Sequence, residues 1–83
     1  MGAKLRTLSG QELVAIFEQF GFSAISQHGS HVKMRRMSRG GLETLIVPFH
    51  HTIPKGTLRA IFGQAARFVP QDELYPYFYS SGR

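Results

Sequence analysis

Apolar and polar positions alternate along this chain with two different periods, and the switches between them mark the elements. Leu13, Ile16, Phe17 and Phe20 recur every three or four residues, which places them on one helical face. Ser9 and Glu12 fit a capping box, each side chain satisfying a backbone donor of the other's turn. Gly21 supplies a C-terminal cap, so the first helix covers residues 10–20. The period then drops to two. Phe22 to His28, Ser30 to Arg36 and Leu42 to Val47 read as strands, separated by a turn at Gly29 and a hairpin turn at Ser38-Arg39-Gly40-Gly41. Pro48 cannot donate to a ladder and closes the third strand. Phe49 to Lys55 reads as a loop. Leu58, Ile61, Phe62 and Ala65 restore the helical period and predict a second helix from Lys55 or Gly56 to Arg67. Beyond Pro70, Gln71 to Tyr79 reads as a short helix ended near Pro76, with an aromatic tail of Tyr75, Tyr77, Phe78 and Tyr79.

Two helices with one apolar face each need a common surface, and a three-stranded antiparallel meander provides it. The expectation is an α+β fold of order α-β-β-β-α, with the helices packed on one face of the sheet. That layering resembles the double-stranded-RNA-binding fold. A chain of 83 residues has room for one domain, here residues 1–83 with a core over 8–67 and a short C-terminal helix and tail over 70–83. So small a core leaves no space for a deep pocket, and an active site should be shallow and built from surface side chains.

Composition removes several functional classes. The chain has no cysteine, which excludes a disulfide framework, thiolate zinc ligands and thiol catalysis, and favours the cytoplasm. No apolar run approaches the roughly 20 residues of a membrane span. Met1 to Ser9 carries Lys4 and Arg6 without an apolar stretch, which predicts no signal peptide. Ten Lys and Arg against five Asp and Glu give a net charge of +5. Four of the ten basic residues fall between Lys33 and Arg39 with no acid among them. Two readings fit that cluster: a phosphate-binding surface, or a strand edge guarded by cations.

Strand alternation sorts the cluster. Val32 and Met34 turn to the helices, and His31, Lys33 and Arg35 share the opposite face. Such a row suits phosphodiester chemistry. Imidazole exchanges a proton near neutral pH. The cations hold the scissile phosphate and the charge that builds on it. RNA carries its own nucleophile, the 2′-hydroxyl, so neither a metal nor a covalent intermediate is required. The pattern alone equally permits a solvent-facing histidine with no role. Gly29 allows close approach of a ligand, and the Ser30 hydroxyl can bond a phosphate or orient the ring. His28-x-x-His31 with His50-His51 could be read as a metal site, but it lacks a third ligand type at a recognisable spacing. His50 is either polar loop surface or a neighbour of His31 that shares proton transfer or binds phosphate. Glu43 can pair with Arg35 or Arg36 across the hairpin. Lys55, Arg59 and Arg67 form one stripe of the second helix: a phosphate track, a dock for an acidic partner, or a solvated face. The aromatic tail suits either base stacking or packing against the core or a partner.

Several of these residues carry a family resemblance. Leu8-Ser9-Gly10, Gly21-Phe22 and His28-Gly29-Ser30-His31-Val32-Lys33 resemble the opening half of a HicA-type toxin. Val47-Pro48-Phe49-His50 and Lys55-Gly56-Thr57-Leu58-Arg59-Ala60-Ile61 resemble its closing half. The resemblance implies the toxin of a toxin–antitoxin pair, a ribosome-independent endoribonuclease that cleaves mRNA. It implies a catalytic histidine at His31, no metal or other cofactor, and a HicB-type antitoxin that covers the active face. The family motif falls on Gly29, Ser30, His31 and Lys33, and His50 matches a position often held by histidine. With Arg35, Lys55 and Arg59, these give the expected RNA- and phosphate-binding set around His31. The competing expectation is a non-catalytic RNA-binding module of the same fold.

Overall fold

The computed structural model describes residues 3–80; Met1, Gly2 and the last three residues of the expected 70–83 tail lie outside the described residues. Its elements are β1 (Lys4–Leu5), α1 (Gly10–Gln19), β2 (Ser23–His28), β3 (His31–Ser38), β4 (Gly41–Pro48), α2 (Lys55–Ala65), α3 (Gln71–Phe78) and β5 (Tyr79–Ser80). Strands β2, β3 and β4 form an antiparallel sheet in that order. The architecture is α+β, with the α-β-β-β-α layering of the double-stranded-RNA-binding fold at its centre.

The capping box at α1 is present: Ser9 Oγ accepts from the Glu12 amide at 3.0 Å, and the Ser9 amide donates to Glu12 Oε1 at 2.8 Å. Phe20 caps the other end, and Gly21 takes φ +92°, which glycine adopts without a side-chain penalty. Leu13, Ile16 and Phe17 are buried against Val32 and Met34 of β3, Leu45 and Val47 of β4, and Leu58, Ile61, Phe62 and Ala65 of α2, in one core cluster. The two helical stripes and the inner face of the sheet therefore meet as their periodicities predict.

Strands β3 and β4 are longer than the pattern suggests. β3 continues through Met37 and Ser38, and β4 includes Pro48 as its last residue. Ser38 pairs with Gly41, so Arg39-Gly40 is a two-residue turn. Gly41, the first residue of β4 after that turn, takes positive φ, at +119°. Pro48 is tolerated because the final strand position can do without an N–H.

The C-terminal segment differs most from expectation. Pro76 does not end the short helix: α3 runs through it to Phe78. The lost amide bond is offset by packing, because Leu74 and Phe78 are fully buried. Phe78 sets its ring 5.2 Å from Phe62 and 6.2 Å from Phe17. Arg6 Nε also takes up the Pro76 carbonyl at 3.2 Å. The chain then forms β5, which pairs antiparallel with β1 through Lys4–Ser80 and Leu5–Tyr79. Two-residue strands have no alternation to read, so this small second sheet left no sequence signal. Of the aromatic tail, Phe78 is core, Tyr77 rests against Phe20, and Tyr75 stacks on Tyr79 at 4.4 Å.

Candidate active site

The inner face of β3 is closed by Val32 and Met34, and its outer face carries His31, Lys33 and Arg35. Direct pairing across an antiparallel ladder keeps partners on one face. His31 lies between His28 of β2 and Pro48 of β4, Lys33 between Ser26 and Ile46, and Arg35 between Ser23 and Thr44. The three side chains repeat every two residues, about 7 Å apart along the strand. His31 is exposed, and Lys33 and Arg35 are half-buried. Arg35 Nε is buried with no hydrogen-bond partner among the described residues.

Apolar side chains frame the row. Met37 is 72% exposed and its cross-strand partner Leu42 58%. Ile46, beside Lys33, and Ile25 are exposed as well. Ile25 falls where the β2–β3 register shifts between Ala24 and Ser26. The outer face is thus a cationic strip with an apolar border.

The turn ahead of β3 fixes where His31 begins. Gly29 takes φ +60°, and a Cβ there would meet nothing within 4 Å. Its glycine answers a backbone requirement, whereas the sequence suggested a need for space. Ser30 contributes its carbonyl, which accepts the Phe49 amide and ties the β4–α2 loop to this turn. The Gly10 amide donates to His50 O at 2.8 Å and the Ile53 amide to Leu8 O at 2.9 Å, so the loop is also fastened to the start of α1.

His50 therefore stands at the His31 end of the sheet but in a different setting. With His51, Phe49, Ser9 and Gln11 it lines a hollow of about 490 Å³ beside the start of α1. Of these, Gln11 was not singled out by the sequence; His51 was weighed there only as a metal ligand and Phe49 only within the Val47-Pro48-Phe49-His50 segment, and the structure leaves Phe49 40% exposed. His28 and His31 close one turn while His50 and His51 lie in the loop. Among the described residues no three His, Asp or Glu side chains gather as a metal would need.

Lys55 and Arg59 are not brought to this face. Lys55 Nζ donates to Leu5 O at 3.0 Å and Arg6 O at 3.1 Å, holding β1 against the start of α2. Arg59 lines a separate hollow with Lys4, Lys55 and Thr7. Arg36, one of the four clustered cations, turns to the inner side. Its Nε donates to Glu43 Oε1 at 2.8 Å, NH1 to Phe20 O at 2.7 Å and NH2 to Phe68 O at 2.8 Å. The guanidinium also lies 4.7 Å over the Phe22 ring. Even-numbered Val32 and Met34 already point inward, so the same alternation marks Arg36 as structural. Desolvation pushes the Glu43 carboxyl up, but hydrogen bonds from the Ser38 and Arg36 side chains and the charge of Arg36 outweigh it, leaving the pKa below the ordinary glutamate value.

Comparison with known proteins adds an independent line. Neither curated proteins nor solved structures gave a match. The family model described as the HicA toxin of bacterial toxin–antitoxin systems matches residues 10–66. That span begins at the first residue of α1 and ends at the C-cap of α2, enclosing both helices, the three-stranded sheet and the His31 row. The matched region is more than half of the chain, and the chain belongs to the HicA toxin family.

Proposed function

We propose that this protein is the toxin of a toxin–antitoxin pair and acts in the cytoplasm as an endoribonuclease on mRNA. His31 serves as general acid or base, and Lys33 and Arg35 clamp the phosphate. The observation that carries this reading is the single file of His31, Lys33 and Arg35 on the open face of the sheet, with the helices on the other side.

The chemistry follows from that row. A 2′-oxygen attacks the neighbouring phosphorus: an O2′–P bond forms and the P–O5′ bond breaks. One proton leaves the 2′-oxygen and one reaches the departing 5′-oxygen, giving a 2′,3′-cyclic phosphate and a 5′-hydroxyl end. Imidazole can carry either proton. Lys33 and Arg35 stabilise the negative charge on the non-bridging oxygens, which is larger in the transition state than in the substrate. Gly29 and Ser30 shape the approach to His31, and His50 adds a polar group at the same end. Lys55 and Arg59 have a different role in this reading, as the anchor of β1 and a separate basic surface.

A HicB-type antitoxin is the proposed protein partner. The apolar border of Met37, Leu42, Ile25 and Ile46 around the cations offers the mixture of buried contact and charge that a protein interface needs. Covering that face would also exclude RNA. Among the described residues no helix is long and apolar enough to cross a membrane.

Incubation of the purified protein with end-labelled RNA in EDTA tests the activity. Fragments ending in a cyclic phosphate are expected. A shifted but uncut RNA would contradict the enzyme and leave a binding module.

A further inference from the structure

The reaction moves two protons, and His31 accounts for one of them. His28 and His31 are direct partners in the β2–β3 ladder, separated only by the turn residues Gly29 and Ser30. Partnered residues in an antiparallel pair hold their Cα atoms about 5 Å apart and send their side chains to the same face. Both imidazoles are exposed. β2 is an edge strand, so no further strand crowds His28 from the other side. The positive φ of Gly29 permits the tight reversal that sets this spacing. Two imidazoles so placed can straddle one phosphate.

We infer that His28 is the second proton-transfer residue of the cleavage reaction. This rests on the endoribonuclease reading above. In one turnover, one imidazole of the pair takes the proton of the 2′-hydroxyl as the O2′–P bond forms. The other, protonated, gives its proton to the 5′-oxygen as the P–O5′ bond breaks. The pair ends with its protonation exchanged, and transfer through water restores it. The charged and titratable groups around His28 are His31 and, two pairs further along, Lys33 of β3, with His50 and His51 on the loop that Phe49 fastens to the turn. Among these, only His31 is its direct partner across the ladder.

The test compares His28→Ala with the wild type on the same RNA, following the rate against pH and adding imidazole to the medium. An exposed strand residue can be truncated without opening the core, and far-ultraviolet circular dichroism checks that the fold is kept. The expected result is a rate lower by about 10²–10⁴-fold, as for loss of a general acid or base. One limb of the two-limbed pH profile disappears, and imidazole restores part of the rate. A wild-type-like rate in His28→Ala would overturn the inference while leaving His31 in place. So would a lower rate that keeps both limbs and does not respond to imidazole, which marks a structural role. Failure of the wild type to cleave, or full cleavage by His31→Ala, would instead remove the underlying reading.

Discussion

Arg36 and Glu43 meet across the β3–β4 hairpin at 2.8 Å, and the same guanidinium reaches the carbonyls of Phe20 and Phe68. One side chain therefore pins the end of α1 and the segment after α2 to the sheet. Arg36→Met removes three donors and leaves two carbonyls and a carboxylate without their partner. The expected loss is about 1–3 kcal/mol of stability, measured by urea unfolding. RNA affinity of the folded protein should change little, because Arg36 lies on the opposite side of the strand from Lys33 and Arg35.

The Glu43 carboxyl supplies a pH signature. Its pKa is lowered in the folded state, so its contribution is present above the unfolded value and is lost as pH falls through the folded one. Glu43→Gln should therefore be less stable than the wild type near pH 7. The gap should narrow as pH drops through and below the ordinary glutamate range, about 4.3. Thermal unfolding at a series of pH values checks this. A gap that stays constant down to low pH would assign the effect to packing.

Gly10 is fixed by contact. A Cβ there would fall 2.3 Å from Pro48 O and 2.5 Å from Phe49 Cα, both backbone atoms. Gly10→Ala must push α1 away from the end of β4 and the loop after it. A cost of about 1–3 kcal/mol is expected from such overpacking, although alanine is the better helix former. Chemical denaturation of the variant measures it.

Much of this arrangement was legible in the sequence. Strand alternation separates Val32 and Met34 from His31, Lys33 and Arg35 without any coordinates, and Ser9 with Glu12 announces the start of α1. Local pattern does not report long-range pairing. Nothing near Lys4 points to Ser80, 76 residues away, and nothing near Lys55 points to the carbonyls of Leu5 and Arg6. Pro76 misled for the same reason: its local cost is visible in the sequence, but the burial of Leu74 and Phe78 that offsets it is not. The sequence placed the reversal at Gly29 with Ser30 already in the next strand, whereas the structure makes Gly29-Ser30 a two-residue turn that pairs His28 with His31. The two histidines were weighed as metal ligands, and their shared face emerges from the register.

Lys33 and Arg35 should separate binding from proton transfer. Replacing either with alanine removes one phosphate contact, so the salt dependence of RNA binding should become shallower by about 0.7 in slope for single-stranded RNA. Fluorescence anisotropy with an uncleavable 2′-deoxy-substituted RNA, read across a salt series, gives that slope. Arg36→Met serves as the comparison and should keep the wild-type slope. Equal slopes for all three variants would mean that the outer face is not where the backbone of RNA lies.

The central claim is that His31 carries out proton transfer on the open face of the sheet. Its most direct test is single-turnover cleavage of a labelled RNA by His31→Ala, alongside the wild type and with folding verified. The account predicts a folded variant that still binds the RNA and cleaves it at least about 10²-fold more slowly. Cleavage by His31→Ala at the wild-type rate would contradict it.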